Sequence, residues 1–154
     1  MIGLTTSWLQ KRNRDHEKIL LSLVILFGMS QVNAEELEDL AGLYAECTAY
    51  YTLVYYAVNN SGDSDTAIAY SKVMDDSMFY SLLLASESRE QEMAVNVTNS
   101  RIEMYMKQMK QEINNDNANI SILINKHNSP CQDAMKNPPA VLMDILDRRI
   151  KETQ

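Results

Sequence analysis

The sequence predicts an all-α protein: an antiparallel helical bundle of four main helices plus a short C-terminal helix, closed by one disulfide. Three observations carry this. All four glycines lie at or before Gly62 and all three prolines at or after Pro130, so residues 63–129 contain neither of the strong helix breakers. Leu37, Leu40, Tyr44, Cys47, Tyr51, Val54 and Val58 recur at alternating steps of three and four, the spacing of a helix with one buried seam. Cys47 and Cys131 are the only two cysteines.

The chain opens with a leader. Residues 11–18 carry Lys11, Arg12, Arg14 and Lys18, residues 19–27 are almost wholly apolar, and Val32-Asn33-Ala34 puts small or short residues where a signal peptidase reads. Even stretched to Val32 the apolar run is about 14 residues, short of the roughly 20 that span a bilayer. Cleavage after Ala34 is expected to leave no anchor. The expected organisation is a secretory signal peptide at 1–34 and one helical-bundle domain at 35–154. The latter, about 120 residues, is the size of a domain with a single core.

Composition bounds the partners. Removing the leader leaves 10 basic and 19 acidic residues, a net charge of −9. Such a surface repels nucleic acid, and it lacks the basic face of a membrane-surface helix. Export would carry the protein to an oxidising compartment, with the bacterial periplasm as the expected destination. There Cys47 and Cys131 would pair. No Cys-x-x-Cys is present, so neither redox catalysis nor a thiolate zinc site is indicated.

The first helix is expected over about residues 35–58, with Leu43 and Tyr50 flanking its seam and Glu35, Glu36, Glu38 and Asp39 at the positive end of its dipole. Tyr56 and Leu53 fall on the opposite side. Residues 59–64 read as a turn, with Ser64 able to cap a second helix over about 65–85. Its seam would be Ala67, Ser71, Met74, Met78, Ser81 and Ala85, and Leu82-Leu83-Leu84 near its end suggests deeper burial or a further contact surface. Ser88-Arg89-Glu90-Gln91 has capping-box spacing and starts a third helix, with Val95, Ile102, Met106, Met109 and Ile113 on one face.

Whether that helix stops is decided by geometry. At about 1.5 Å per residue, Cys47 sits about 18 Å up the first helix. An unbroken third helix would carry Cys131 roughly 60 Å up, beyond the reach of a bond that needs Cα atoms within about 7 Å. If Asn114-Asn115-Asp116-Asn117 reverses the chain, residues 119–131 descend and Cys131 arrives level with Cys47. Pro138-Pro139 then marks the start of the last helix, with Leu142, Ile145, Leu146 and Arg149 on one side and Arg148, Arg149 and Lys151 at its negative end.

Chemistry-bearing residues are sparse. With His16 in the leader, His127 is the one histidine of the mature chain, too few for a di-iron bundle, and it reads as an ordinary helix-end residue. Asp75-Asp76 and Glu87, Glu90 and Glu92 read as solvated faces. Asn60 to Asp65 is too short for a calcium loop. Met104, Met106 and Met109 are soft donors, but on a helix Met104 points away from the other two, so core filling is preferred to copper binding. Tyr44, Tyr50, Tyr51, Tyr55 and Tyr56 crowd one helix, and buried hydroxyls there could find partners in Asn96, Thr98 and Asn99. Three sequons, at Asn59, Asn96 and Asn119, are attributed to an Asn-rich composition.

No catalytic, cofactor-binding or metal-ligating residue is therefore expected. The leading expectation is a non-enzymatic exported accessory protein that binds an envelope protein or a small ligand through a helical face, its binding residues unknown. Alternatives are a soft-metal (copper) binder using methionines and a small envelope hydrolase. N-terminal sequencing of exported protein should begin at Glu35; recovery of intact Met1 in a membrane fraction would make the leader an anchor.

Overall fold

A computed structural model describes residues 33–154; the leader assigned to residues 1–34 lies outside them except for Asn33 and Ala34. Five α-helices follow in order: α1 Ala34–Asn60, α2 Ser64–Ser86, α3 Gln91–Glu112, α4 Ser121–Lys136 and α5 Ala140–Glu152, with a 3-10 turn at Asn117–Asn119 before α4. No strand occurs among the described residues. No helix among them is long and apolar enough to cross a membrane.

The fold is the expected bundle, and the core divides into two clusters. At one end Leu37, Ala41 and Tyr44 of α1 meet Leu83, Leu84 and Ala85 of α2, Ala94 of α3, and Leu142 and Ile145 of α5. At the other, Cys47, Tyr50, Tyr51 and Val54 of α1 pack on Met109 and Ile113 at the end of α3 and on Leu123 and Cys131 of α4. Helix α1 therefore runs the length of both clusters. Ala41, Ala45 and Ala49, all fully buried, admit close neighbours. The Ser81 hydroxyl reaches across from α2 to donate to the Ala41 carbonyl at 2.8 Å. The Thr48 and Ser77 hydroxyls meet at 2.9 Å, and Thr48 also donates to its own helix at Tyr44 O.

The reversal after α3 falls where the asparagines predict it. Asn114 and Asn115 both adopt φ 55°, the left-handed conformation that asparagine tolerates better than most residues. The Asn115 N–H closes on Lys110 O at 2.7 Å, Asp116 caps Ala118 N at 2.9 Å, and the Asn119 amide donates to Ile113 O. With the chain turned back, the Cys47 and Cys131 Cα atoms stand 5.4 Å apart and the disulfide is formed.

Several local expectations are corrected. Asp63, not Ser64, caps α2, accepting from Thr66 N at 3.1 Å. The capping box at Ser88 does not form: Glu90 is the N-cap residue of α3 without a side-chain bond, and the Ser88 hydroxyl is drawn to Glu38 instead. In α2 the expected seam holds at Ala67, Ser81 and Ala85 and the Leu83-Leu84 end is buried, but Ser77, on the side that meets α1, takes the buried place expected of Met78, which is exposed. In α3 the buried positions are Ala94, Thr98 and Met109, while Val95 stays on the surface. Leu53 is buried rather than paired with the exposed Tyr56. Helix α4 runs through Pro130 to Lys136. The missing N–H there frees a carbonyl one turn back at Lys126, an exposed position where water can replace the bond.

The disulfide closes a loop of 84 residues. Constraining the unfolded chain to that degree contributes about 4.5 kcal/mol in the chain-entropy account. Reduction should lower the melting temperature sharply while far-ultraviolet circular dichroism at low temperature stays helical.

Candidate functional site

A polar cluster lies beside the disulfide. Helix α1 presents Glu46, Cys47 and Tyr50, and α4 presents His127, Asn128 and Cys131, with Glu112 at the end of α3. His127, read from sequence as an ordinary helix-end residue, is mid-helix and only 5% exposed. Its Nδ1 is 3.1 Å from Glu46 Oε1 and its Nε2 is 3.9 Å from Glu112 Oε2, with no hydrogen-bond partner for Nε2. Lys126 holds Glu112 through both carboxylate oxygens, at 2.8 and 2.9 Å. The Tyr50 ring lies against the imidazole, centroids 5.9 Å apart, and its hydroxyl donates to Asn128 Oδ1 at 3.2 Å.

Chemically this arrangement is a tie between three helices. The two carboxylates approach opposite ring nitrogens and so do not converge on one ion, and no group of three His, Cys, Asp or Glu side chains among the described residues is placed to hold a metal. The sulfurs are spent in the disulfide. The buried tyrosines find their partners on α4 rather than on Asn96, Thr98 or Asn99: Tyr44 donates to Ala134 O at 3.0 Å, Tyr50 to Asn128. Burial pushes the Tyr44 and Tyr51 hydroxyls up to about 12, and Tyr50 up as well.

A second feature lies at the other end, where α2 finishes, α3 begins and α5 crosses. Here Phe79, Leu82, Leu83, Ser86, Arg89, Gln91 and Arg149 line a groove of about 460 Å³. The arginines of residues 33–154 are Arg89, Arg101, Arg148 and Arg149, and they share two carboxylates. Arg89 and Arg101 both bind Glu38, while Arg148 and Arg149 both bind Glu87, the latter at 3.0 Å. Glu87 thus leaves the solvated acidic face assigned to it, whereas Glu90 and Glu92 remain exposed. Hydrogen bonding from Arg89, aided by Arg101 and opposed by partial burial, pulls the Glu38 carboxyl down to about 2. Neither shared carboxylate was legible beforehand, because Glu38 is 51 positions from Arg89 and Glu87 is 61 from Arg148, and only packing brings them together.

The methionines do not gather. Met104 is exposed, Met106 packs at the edge of the core and Met109 is inside it. Asp75 and Asp76 are exposed, and Asn119 spends its side-chain amide on the α3–α4 turn.

Comparison with known protein families, curated proteins and solved structures finds no match to this chain.

Because the Glu38 carboxyl is lowered in the folded state, its contribution to stability is present above the ordinary carboxylate range and lost as pH falls through about 2. The melting-temperature difference between the wild type and Glu38→Gln should therefore be constant above about pH 5 and shrink as pH drops from 4.5 towards 2. Thermal melts across that range check it; a difference independent of pH would place the effect of Glu38 in packing alone.

Proposed function

We propose that the chain is an exported, non-enzymatic accessory protein of the bacterial envelope that binds a protein partner or small ligand through a helical face, and that this face is the outer side of α2. The observation that carries the reading is apolar surface left uncovered on that helix. Phe79 is 52% and Met78 41% exposed, with half-buried Leu82 one turn on and the groove beside them; Ile68, nearer the start of the helix, is 67% exposed. Single exposed apolar residues are ordinary, but an aromatic among adjoining apolar side chains marks a contact surface.

Export is supported by the leader pattern and is consistent with the formed disulfide, which persists in an oxidising compartment. Cleavage after Ala34 would remove Asn33, which caps α1 by accepting from Glu35 N at 3.2 Å. Glu35, Glu36, Glu38 and Asp39 would remain to balance the helix dipole and the new amino terminus. A non-enzymatic reading is supported by His127, which has carboxylates rather than a nucleophile beside its ring.

A photo-crosslinking residue at position 79 should yield adducts in the envelope, and one at exposed Gln108 on α3 should not. Phe79→Asp should abolish the adducts formed from position 68, with stability changed by less than about 0.5 kcal/mol as for most surface substitutions. Equal yields from positions 79 and 108, or none from either, would reject α2 as the binding face.

A further inference from the structure

We propose that the groove at the end of α2 binds a single-chain amphiphile with an anionic head, of the fatty-acid carboxylate class. This rests on the reading of the outer side of α2 as the binding face and narrows it to one ligand chemistry.

The groove has two kinds of wall. Phe79, Leu82 and Leu83 supply an apolar side, and Arg89, in the connection between α2 and α3, and Arg149 of α5 supply guanidinium groups. Its volume of about 460 Å³ falls within the range of small-molecule sites, roughly 300–1,000 Å³. Each arginine belongs to a cluster in which two guanidiniums share one carboxylate, Glu38 or Glu87. The Glu38 cluster carries one positive charge in excess, while at Glu87 exposed Glu152, 3.8 Å from Arg149, offsets the excess. A guanidinium has five N–H donors. Arg149 uses Nη2 on Glu87, and Arg89 uses Nη1 on Glu38 and Ser88. An arriving carboxylate can therefore accept from either without displacing the existing pairs.

Charge selects the head group. Residues 35–154 carry net −9, so most of the surface repels an anion, whereas this groove is lined by two arginines and no carboxylate. Extent selects the tail. Towards the start of α2 the outer face turns to Asp76, Asp75 and Lys72, all exposed, so the apolar surface continuous with the groove ends at Phe79. A docked helix needs apolar anchors over several turns, whereas one acyl chain needs only the groove.

The test is calorimetric titration of the exported protein with laurate below its micelle concentration, with monolaurin as the same chain under a neutral head. Laurate should bind at one per protein, weaken as salt is raised, and bind about tenfold more weakly, a loss of about 1.4 kcal/mol, to Arg149→Gln and to Phe79→Ala. Cooperative thermal melts and a wild-type helical spectrum show that both variants fold. Monolaurin should bind more weakly than laurate by a similar factor. No laurate binding, equal binding of the two lipids, or binding indifferent to both variants would overturn the inference. If crosslinks still form at position 79 while laurate fails to bind, the ligand class is wrong and the binding face stands. If neither occurs, both fall.

Discussion

Everything in this fold is arranged around the covalent tie between α1 and α4. The bond demands that two residues 84 positions apart come within 5.4 Å at the Cα atoms, and the chain meets that demand only by ending α3 and descending again. The reversal rests on two successive left-handed asparagines, a backbone state most side chains resist. Once α4 is turned back, Leu123 and Cys131 enter the same cluster as Met109, Ile113, Tyr50 and Val54. His127 comes with them and sits between the glutamates of two other helices. The buried imidazole is thus a consequence of the topology, with Nδ1 placed against Glu46 and Nε2 left without a hydrogen-bond partner.

The α1–α2 contact shows a different economy of packing. Alanines and hydroxyl residues line it where larger aliphatics are usual, so the backbones lie close enough for Ser81 to bond a carbonyl of the neighbouring helix. With Thr48 donating to Tyr44 O, Ser77 can donate to Thr48, so each hydroxyl has a partner and a buried polar stripe is acceptable in an otherwise apolar core. Tyr44 contributes both modes: it packs edge-on against Tyr80 and reaches with its hydroxyl to a carbonyl of α4. Helices α2 and α4 are thereby both read out from α1, which contributes to both core clusters.

Charge is distributed as unevenly as volume. Acidic residues cover most of the molecule, but the arginines are held in pairs by Glu38 and Glu87. These bonds join the first turns of α1 to α3, and the end of α2 to α5. They fasten the short last helix, whose apolar side otherwise consists of Leu142, Ile145 and a few partly buried neighbours. The same bonds set guanidiniums beside the exposed Phe79, so one set of interactions both closes this end of the bundle and gives it its chemical character.

The sequence by itself determined the helix count, the disulfide and the turn that makes it possible, because helix periodicity, breaker placement and chain geometry are properties of nearby residues and of reach. It also placed the apolar seam of α1, whose members Leu37, Tyr44, Cys47, Tyr51 and Val54 are all buried. In α2 it placed Ala67, Ser81 and Ala85 in the core but chose Met78 over Ser77, one position away, where the alanine-lined partner selects the serine. Nor did it find the burial of His127 or the shared carboxylates Glu38 and Glu87, since these depend on side chains from different helices arriving at the same point. Local pattern sets the elements; the mutual rotation of those elements, decided by close packing across the whole core, sets which residues face one another and which, like Phe79, are left facing solvent.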